Sequence, residues 1–182
     1  MGLNATYIVQ PNGTSYAAAV DITDVSTYQF ANADILGENI PVSVTNVSLA
    51  ARNGTPVNFN WTTPWNGPSF ISFPEGNYTV SYVAPLQDNQ VQGSFIDQYN
   101  VNVTLPAQYD VRNPLLAGLS PGASITRFAD NTTQVTWNET TSFSLRFYDQ
   151  AREDLLYLFG EFMVILAIVL LIPFFLFQRP QQ

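Results

Sequence analysis

Cysteine, histidine and lysine are all absent from this 182-residue sequence. Their absence excludes disulfides, Cys/His metal centres, Cys or His nucleophile–base pairs and Schiff-base lysines. Cations of any kind are scarce: 6 arginines stand against 14 acidic residues, for a formal net charge of -8. Phosphate contacts need clustered Lys and Arg, so nucleic acid is not an expected partner. What the chain does contain is apolar surface, with 46% hydrophobic and 14% aromatic residues. That is well outside the composition of disordered chains. The length suits roughly one ordinary domain plus an appendage.

The appendage is at the C-terminal side. Leu155 to Phe177 is a run of 23 residues with a single charge, Glu161. At ~1.5 Å rise per residue it spans roughly 34 Å, enough for a ~30 Å hydrocarbon core. A buried core helix is usually shorter and shows a polar stripe, whereas Phe162 to Phe177 has no polar side chain. A transmembrane helix in contact with membrane lipid is therefore expected. A carboxylate deep in lipid costs roughly 2–3 kcal/mol, less near an interface. Glu161 is thus expected either at headgroup depth or against a second membrane helix. Gly160, Val164 and Ala167 share one helical stripe, with Glu161 at its edge. The small Gly160 permits close approach of a neighbour. These four are the expected helix-packing residues, and another membrane or envelope protein is the expected partner. Pro173 loosens the helix near its far end without preventing it from spanning.

Beyond the run lie Gln178–Gln182, with Arg179 as their one charge, while Arg152 on the near side is accompanied by Glu153 and Asp154. The positive-inside bias then places 178–182 in the cytoplasm and the large N-terminal part outside. Five residues are too few for a signalling domain. Asn-X-Ser/Thr occurs at Asn4, Asn12, Asn46, Asn53, Asn60, Asn77, Asn102, Asn131 and Asn138. Chance would supply roughly two or three such glycosylation sequons at this composition. Strand alternation, which sets Asn and Thr on one polar face, accounts for Asn46, Asn60, Asn77 and Asn102. The other five fall mostly in loop-like contexts. All nine precede the apolar run, as an exterior glycoprotein domain requires. The opening MGLNATYIVQ lacks the cationic and apolar regions of a signal peptide. Either the sequence is a mature or trimmed form, or the protein is tail-anchored with its domain in the cytosol. The sequons and the missing Cys, Lys and His favour the first.

Before residue 148 the dominant pattern is period-2 alternation. Val57, Phe59 and Trp61 alternate with polar residues, as do Tyr78, Val80 and Tyr82, then Tyr99 to Leu105, then Phe143, Leu145 and Phe147. Further strands are expected near Ala5–Val9, Tyr16–Ile22, Val42–Leu49, Ser69–Phe73 and Thr133–Trp137. Turn signals separate them, among them Pro11-Asn12-Gly13, Asn53-Gly54 and Pro74-Glu75-Gly76-Asn77. Nine or ten short strands with one polar face predict an antiparallel β-sandwich over 1–148. Roughly 150 residues can bury such a core without disulfides. Ala31 to Ile40 reads as a loop or a short helix, and Tyr109 to Ser124 as a long ordered loop. A division into two subdomains near 106–124 and a single composite sandwich are both open. Asp149 suits the N-cap of a helix beginning at Gln150, and Glu153 and Asp154 complement its dipole. With no Gly/Ser or Pro-rich stalk, the helix is expected to run from the domain through 149–177 directly into lipid.

Phe73-Pro74-Glu75-Gly76-Asn77-Tyr78-Thr79-Val80 resembles the Pro-x-Gly-x-Tyr-x-Val hairpin of prealbumin-like and immunoglobulin-like sandwiches, which implies a fold but no function. Val103 to Pro106, Asp110 to Leu116, Ser120-Pro121-Gly122, Trp137-Asn138, Arg146 to Asp149 and Arg152-Glu153 together resemble a family of uncharacterised archaeal envelope proteins with one C-terminal span. That resemblance covers about 80 residues and implies an archaeal exterior without an activity.

Chemistry is thinly represented. Asp21 with Asp24, or Asp88 with Asp97, are the carboxylate pairs a glycoside hydrolase would need, but no motif surrounds them. Asp21-Ile22-Thr23-Asp24 and Asp130-Asn131 offer oxygens to Ca²⁺ without calcium-loop spacing. Catalytic, metal and cofactor sites are accordingly not expected. Phe59 and Trp61 alternate as core residues. Trp65, inside Pro64-Trp65-Asn66-Gly67-Pro68, lies outside any alternation: it either folds back as a lid on the sandwich or is exposed, and in the second case it is the candidate for stacking on a glycan or a partner side chain. The expected function is a non-enzymatic, membrane-anchored exterior domain with a structural or accessory role in the cell envelope or a larger membrane complex. Surface recognition of carbohydrate or protein through the Trp65 loop is the alternative.

Overall fold

The computed structural model describes residues 2–33 and 39–177. Residues 34–38, at the centre of the stretch expected as a loop or short helix, lie outside the described residues, as do 178–182. To either side of 34–38 the chain is extended, forming β3 (Ala31–Ala33) and β4 (Asn39–Pro41), which pair with each other.

A mixed sheet of nine strands dominates the β-domain. At its centre is β1 (Leu3–Val9), flanked by β2 (Ser15–Gln29) and β8 (Gln90–Leu105). Beyond β2 come β7 (Phe70–Pro85) and β5 (Thr45–Ala51), with β6 (Asn60–Thr62) also on β7. Beyond β8 comes β12 (Thr133–Arg146), which carries β10 (Gly118–Leu119) and β11 (Ser124–Arg127). Alternation places the inward residues in rows across the sheet. Val80, Val20, Ala5, Val101 and Trp137 are in register and buried, and Ala18, Tyr7, Val103 and Val135 form the next buried row.

Four strands are far longer than expected, at 14 to 16 residues, and each folds over on itself. An extended strand separates residues six apart by roughly 20 Å. Yet the rings of Trp137 and Phe143, both in β12, have centroids 5.3 Å apart. In β7 Phe73 and Tyr78 lie at 5.3 Å, and in β8 Phe95 and Tyr99 at 4.2 Å. The register breaks at the same places, between Trp137 and Ser142 in β12 and between Ile22 and Thr27 in β2. Asp24 and Glu139 there adopt left-handed backbone, with φ of 53° and 51°. The bends are tied side by side. Asp24 N–H donates to Asn77 Oδ1 at 3.2 Å, Glu139 N–H to Asn100 Oδ1 at 3.3 Å, and the Tyr99 hydroxyl to the Asp21 carbonyl at 2.6 Å. The doubled halves then face each other, with Tyr7 against Phe143 at 4.9 Å and Phe30 against Tyr82 at 5.3 Å.

Doubling accounts for two departures from expectation. Because β8 reverses at its bend, its second half runs parallel to β1, Leu3 pairing with Tyr99 through Ile8 with Thr104. The sheet is therefore mixed, not purely antiparallel. Pro74-Glu75-Gly76-Asn77, which carries the chemistry of a hairpin turn, is a bend inside the single strand β7. β7 itself bulges here: Val25 pairs with Gly76 and Thr27 with Ser72, so three residues of β7 stand opposite one of β2. The unpaired residues between them accommodate Pro74, which has no N–H to give to a ladder.

The 109–124 segment also contains more structure than a loop. It begins with β9 (Tyr109–Asp110), includes β10 and enters β11. Val111 and Ala117 join the same buried cluster as the sheet. After β12, the short β13 (Tyr148–Asp149) pairs with β9 and leads without a linker into α1 (Gln150–Phe177).

Candidate binding and anchoring surfaces

α1 is the one helix among the described residues long and apolar enough to cross a membrane, and none of that apolar stretch is buried against the protein. Its start is built locally. Asp149 Oδ1 accepts the Arg152 N–H at 2.9 Å, satisfying a donor of the first turn as an N-cap should. Around this cap the domain is tightly tied. β13 pairs with β9, Tyr109 packs on Phe147 at 4.9 Å, and Asn113 N–H donates to the Tyr148 hydroxyl at 3.2 Å. Asp110 organises the join. It accepts from the backbone N–H of Val111 at 2.7 Å and Arg112 at 2.9 Å, and from Arg112 Nε at 2.9 Å, while Arg127 Nη1 stands 3.8 Å away. Burial pushes the Asp110 carboxyl up, but the Arg112 and backbone hydrogen bonds outweigh it and hold the carboxyl below its usual range. Further along α1, a shallow hollow is lined by Leu156, Tyr157, Gly160, Glu161, Val164 and Ile165, and nothing lies within 4 Å of where a Gly160 side chain would start. Ala167 is exposed on the same helix.

The aromatic cluster near residue 60 divides differently from the alternation. Phe59 is half-buried. Trp61, expected in the core, is 42% exposed and stacks on Phe30 at 5.4 Å from the outer side. The reason is position: β6 is a three-residue strand paired only on β7, so nothing covers its outer face. Trp65 is 99% exposed. Its loop is pinned at the neck, where Trp61 Nε1 donates to Thr63 Oγ1 at 2.8 Å and Thr63 Oγ1 meets Ser69 Oγ at 3.2 Å. Pro68 is buried and Gly67 takes φ of 117°, a conformation open to glycine alone at low cost. Trp65 thus projects from a constrained loop.

Eight of the nine sequon asparagines are exposed, and Asn102 is half-buried on the polar face of β8. Asn12, Asn53 and Asn131 lie in turns, while Asn4 and Asn138 lie in β1 and β12. Several side chains already serve local bonds: Asn12 Oδ1 accepts Thr14 N–H, Asn53 Oδ1 accepts Thr55 N–H, and Asn77 Oδ1 holds Asp24.

The four acids of the candidate carboxylate pairs sit in distinct local settings. Asp21 accepts from Thr79 Oγ1 at 2.9 Å and from Asn4 at 3.3 Å. Asp88 lies in the turn before β8, whereas Asp97 lies at its bend. Among the described residues no three acidic side chains gather as a metal-binding group. One feature escaped the sequence reading altogether. A cleft of about 470 Å³ opens where the bends of β2 and β8 meet, with Thr23, Val25, Tyr28, Ile96, Asp97 and Tyr99 among its walls. The Thr23 hydroxyl is buried there without a hydrogen-bond partner, and Ile96 is fully exposed. Burial pushes the Tyr16 and Tyr99 hydroxyls up to about 12, Asp97 and Asp21 adding to the effect at Tyr99. Burial raises Tyr7, Tyr28 and Tyr82 further.

Residues 3–181 match the family of unknown function DUF5803. No curated protein matches the chain.

Proposed function

We propose that this chain, which belongs to the family of unknown function DUF5803, is a non-enzymatic, single-pass membrane protein with its β-domain outside the cell. There it serves as a structural or accessory element of the envelope or of a larger membrane complex. The observation that carries this reading is the join between domain and helix. The last strand passes through the Asp149 cap into an apolar helix that packs on nothing in the protein. A helix with that much bare apolar surface needs lipid or another protein around it. The absence of a linker holds the domain at a fixed height and angle, as suits a scaffold more than a tethered sensor.

An exterior position is supported by the exposure of eight sequon asparagines and by Arg179 on the opposite side of the apolar run. The acidic, Cys-free composition suits an archaeal envelope. The doubled sheet approximates an immunoglobulin-like or prealbumin-like sandwich in its two facing layers, while its β1–β8 parallel pairing sets it apart. The hollow at Gly160 supports pairing of α1 with a helix of another membrane or envelope protein.

Glycopeptide mapping of native protein, combined with protease treatment of intact cells, tests the reading. Glycan on some of the nine asparagines and digestion of the domain from outside are expected. Bare sites throughout, with a protease-shielded domain, would establish the cytosolic, tail-anchored arrangement instead. A second reading, recognition of glycan or protein, is favoured by one observation: a fully exposed Trp65 on a pinned loop.

A further inference from the structure

The Asn113–Ala117 turn is tied to β13, the strand that runs directly into α1. Asn113 reaches the hydroxyl of Tyr148, the residue immediately before the Asp149 cap. Arg112, just ahead of it, is raised above its usual range chiefly by its bonds to Asp110, with the charges of Tyr148 and Glu153 contributing. Glu153 is two residues, ~3 Å of helix rise, from Leu155, where the apolar run begins. The turn is internally closed. Asn113 Oδ1 accepts Leu115 N–H at 3.1 Å, and the Asn113 carbonyl accepts from Leu116 at 3.1 Å and Ala117 at 2.9 Å. Leu116 packs on the core and Ala117 is buried, yet Leu115 points outward at 75% exposure. Among the described large apolar side chains of the β-domain, only Trp65 and Ile96 are more exposed. A lone exposed leucine is ordinary on a soluble surface. One held outward by a closed turn that is tied to the residue before a membrane-length helix is a different case.

We propose that this turn is a second membrane contact, with Leu115 inserting at the headgroup–acyl boundary of the bilayer beside α1. The occupant of this surface is lipid. Arg112, exposed beside the turn, is bonded to Asp110 through its guanidinium, so Leu115 carries the contact with lipid. The contact adds a point of attachment away from the helix axis, so the domain resists tilting and rotation about α1. The proposal rests on the reading of α1 as a membrane span.

The chain has no cysteine, so single labels can be placed on the full-length protein without other changes. A polarity-sensitive fluorophore is attached to Leu115→Cys, to Ile96→Cys at the bends and to Leu158→Cys within α1, each reconstituted in phosphatidylcholine vesicles. Quenching is measured with nitroxide on the upper acyl chain and with aqueous iodide. Severalfold quenching by the lipid nitroxide at positions 115 and 158, with iodide quenching only at 96, is expected. Lipid quenching at 158 with iodide quenching at 115 overturns the inference and leaves the membrane span standing. Iodide quenching at 158 overturns the span and, with it, the second contact.

Discussion

Gly93 of β8 is paired directly with Phe143 of β12, whose ring lies across it. A methyl group there would stand 2.6 Å from Phe143 Cε1 and 3.2 Å from the Tyr7 hydroxyl. Real side chains do not sit that close, and Phe143 is a buried ring held between Tyr7 at 4.9 Å and Trp137 at 5.3 Å, so it moves only by displacing its neighbours. Gly93→Ala should therefore overpack this cross-strand pair at about 1–3 kcal/mol. Loss of glycine freedom in the unfolded chain offsets about 0.4–1 kcal/mol of that. A net cost of about 1–2 kcal/mol corresponds to a fall in Tm of roughly 2–8 °C for a domain of this size. Phe143→Ala alone should cost about 3–5 kcal/mol. In the double variant the ring is gone, and Gly93→Ala should become neutral or slightly stabilising. The assay is reversible denaturation of the full chain in mild detergent, followed by tryptophan fluorescence, since Trp137 is buried beside the ring. Equal costs for Gly93→Ala with and without Phe143 would refute the contact as the reason a glycine stands there.

Three further outcomes are expected. Trp65→Ala should leave the thermal midpoint nearly unchanged while abolishing any glycan or protein binding through its loop; a loss of about 3–5 kcal/mol, as for a packed tryptophan, would contradict its exposed position. The raised tyrosines make the fold sensitive to alkali. Neutral hydroxyls are favoured in the folded state, so their contribution is complete below the ordinary value of 10.0 and is lost as pH rises through about 12 for Tyr16 and Tyr99. Phenolate absorbance should accordingly appear in step with unfolding, and early, independent titration of all nine tyrosines would count against the buried cluster. Gly160→Leu should strip a partner helix from α1 by filling the hollow and Glu161→Leu should weaken it, read by co-purification from native membranes; retention of every partner by both variants would leave α1 as an anchor only.

Local patterns were legible in the sequence wherever one element decides its own environment. Alternation picked out Tyr99 to Leu105 and Phe143 to Phe147 because both halves-of-strand lie in the covered interior. The Asp149 cap was legible because capping is a matter of three or four adjacent residues; the loop of Trp65 was legible because it interrupts every period, but not whether its ring folds back onto the sandwich or projects from it. What depends on distant neighbours was not. Trp61 alternates like a core residue, and only the short edge position of β6 leaves it outside. Pro74 to Asn77 carries turn chemistry, which cannot distinguish a turn between strands from a bulged bend inside one strand. The cleft at Thr23 and Ile96 exists only because two such bends are neighbours, and nothing in either segment announces the other.

The pairing of β1 with both β2 and β8 has a consequence for how the domain assembles. β1 and β2 can zip together early, since their partners are separated by a short turn. The other edge of β1 finds its complement only in Tyr99 to Thr104, after most of the domain has been made. Loop closure over that distance places folding among the slower, high-contact-order class. Throughout that interval an apolar strand offers unpaired N–H and C=O groups to any extended segment that meets it. The long strands that follow therefore do more than build the far layer: the second half of β8 is the piece that seals the open seam, and a chain interrupted before it would be a half-sheet ready to pair with its neighbours.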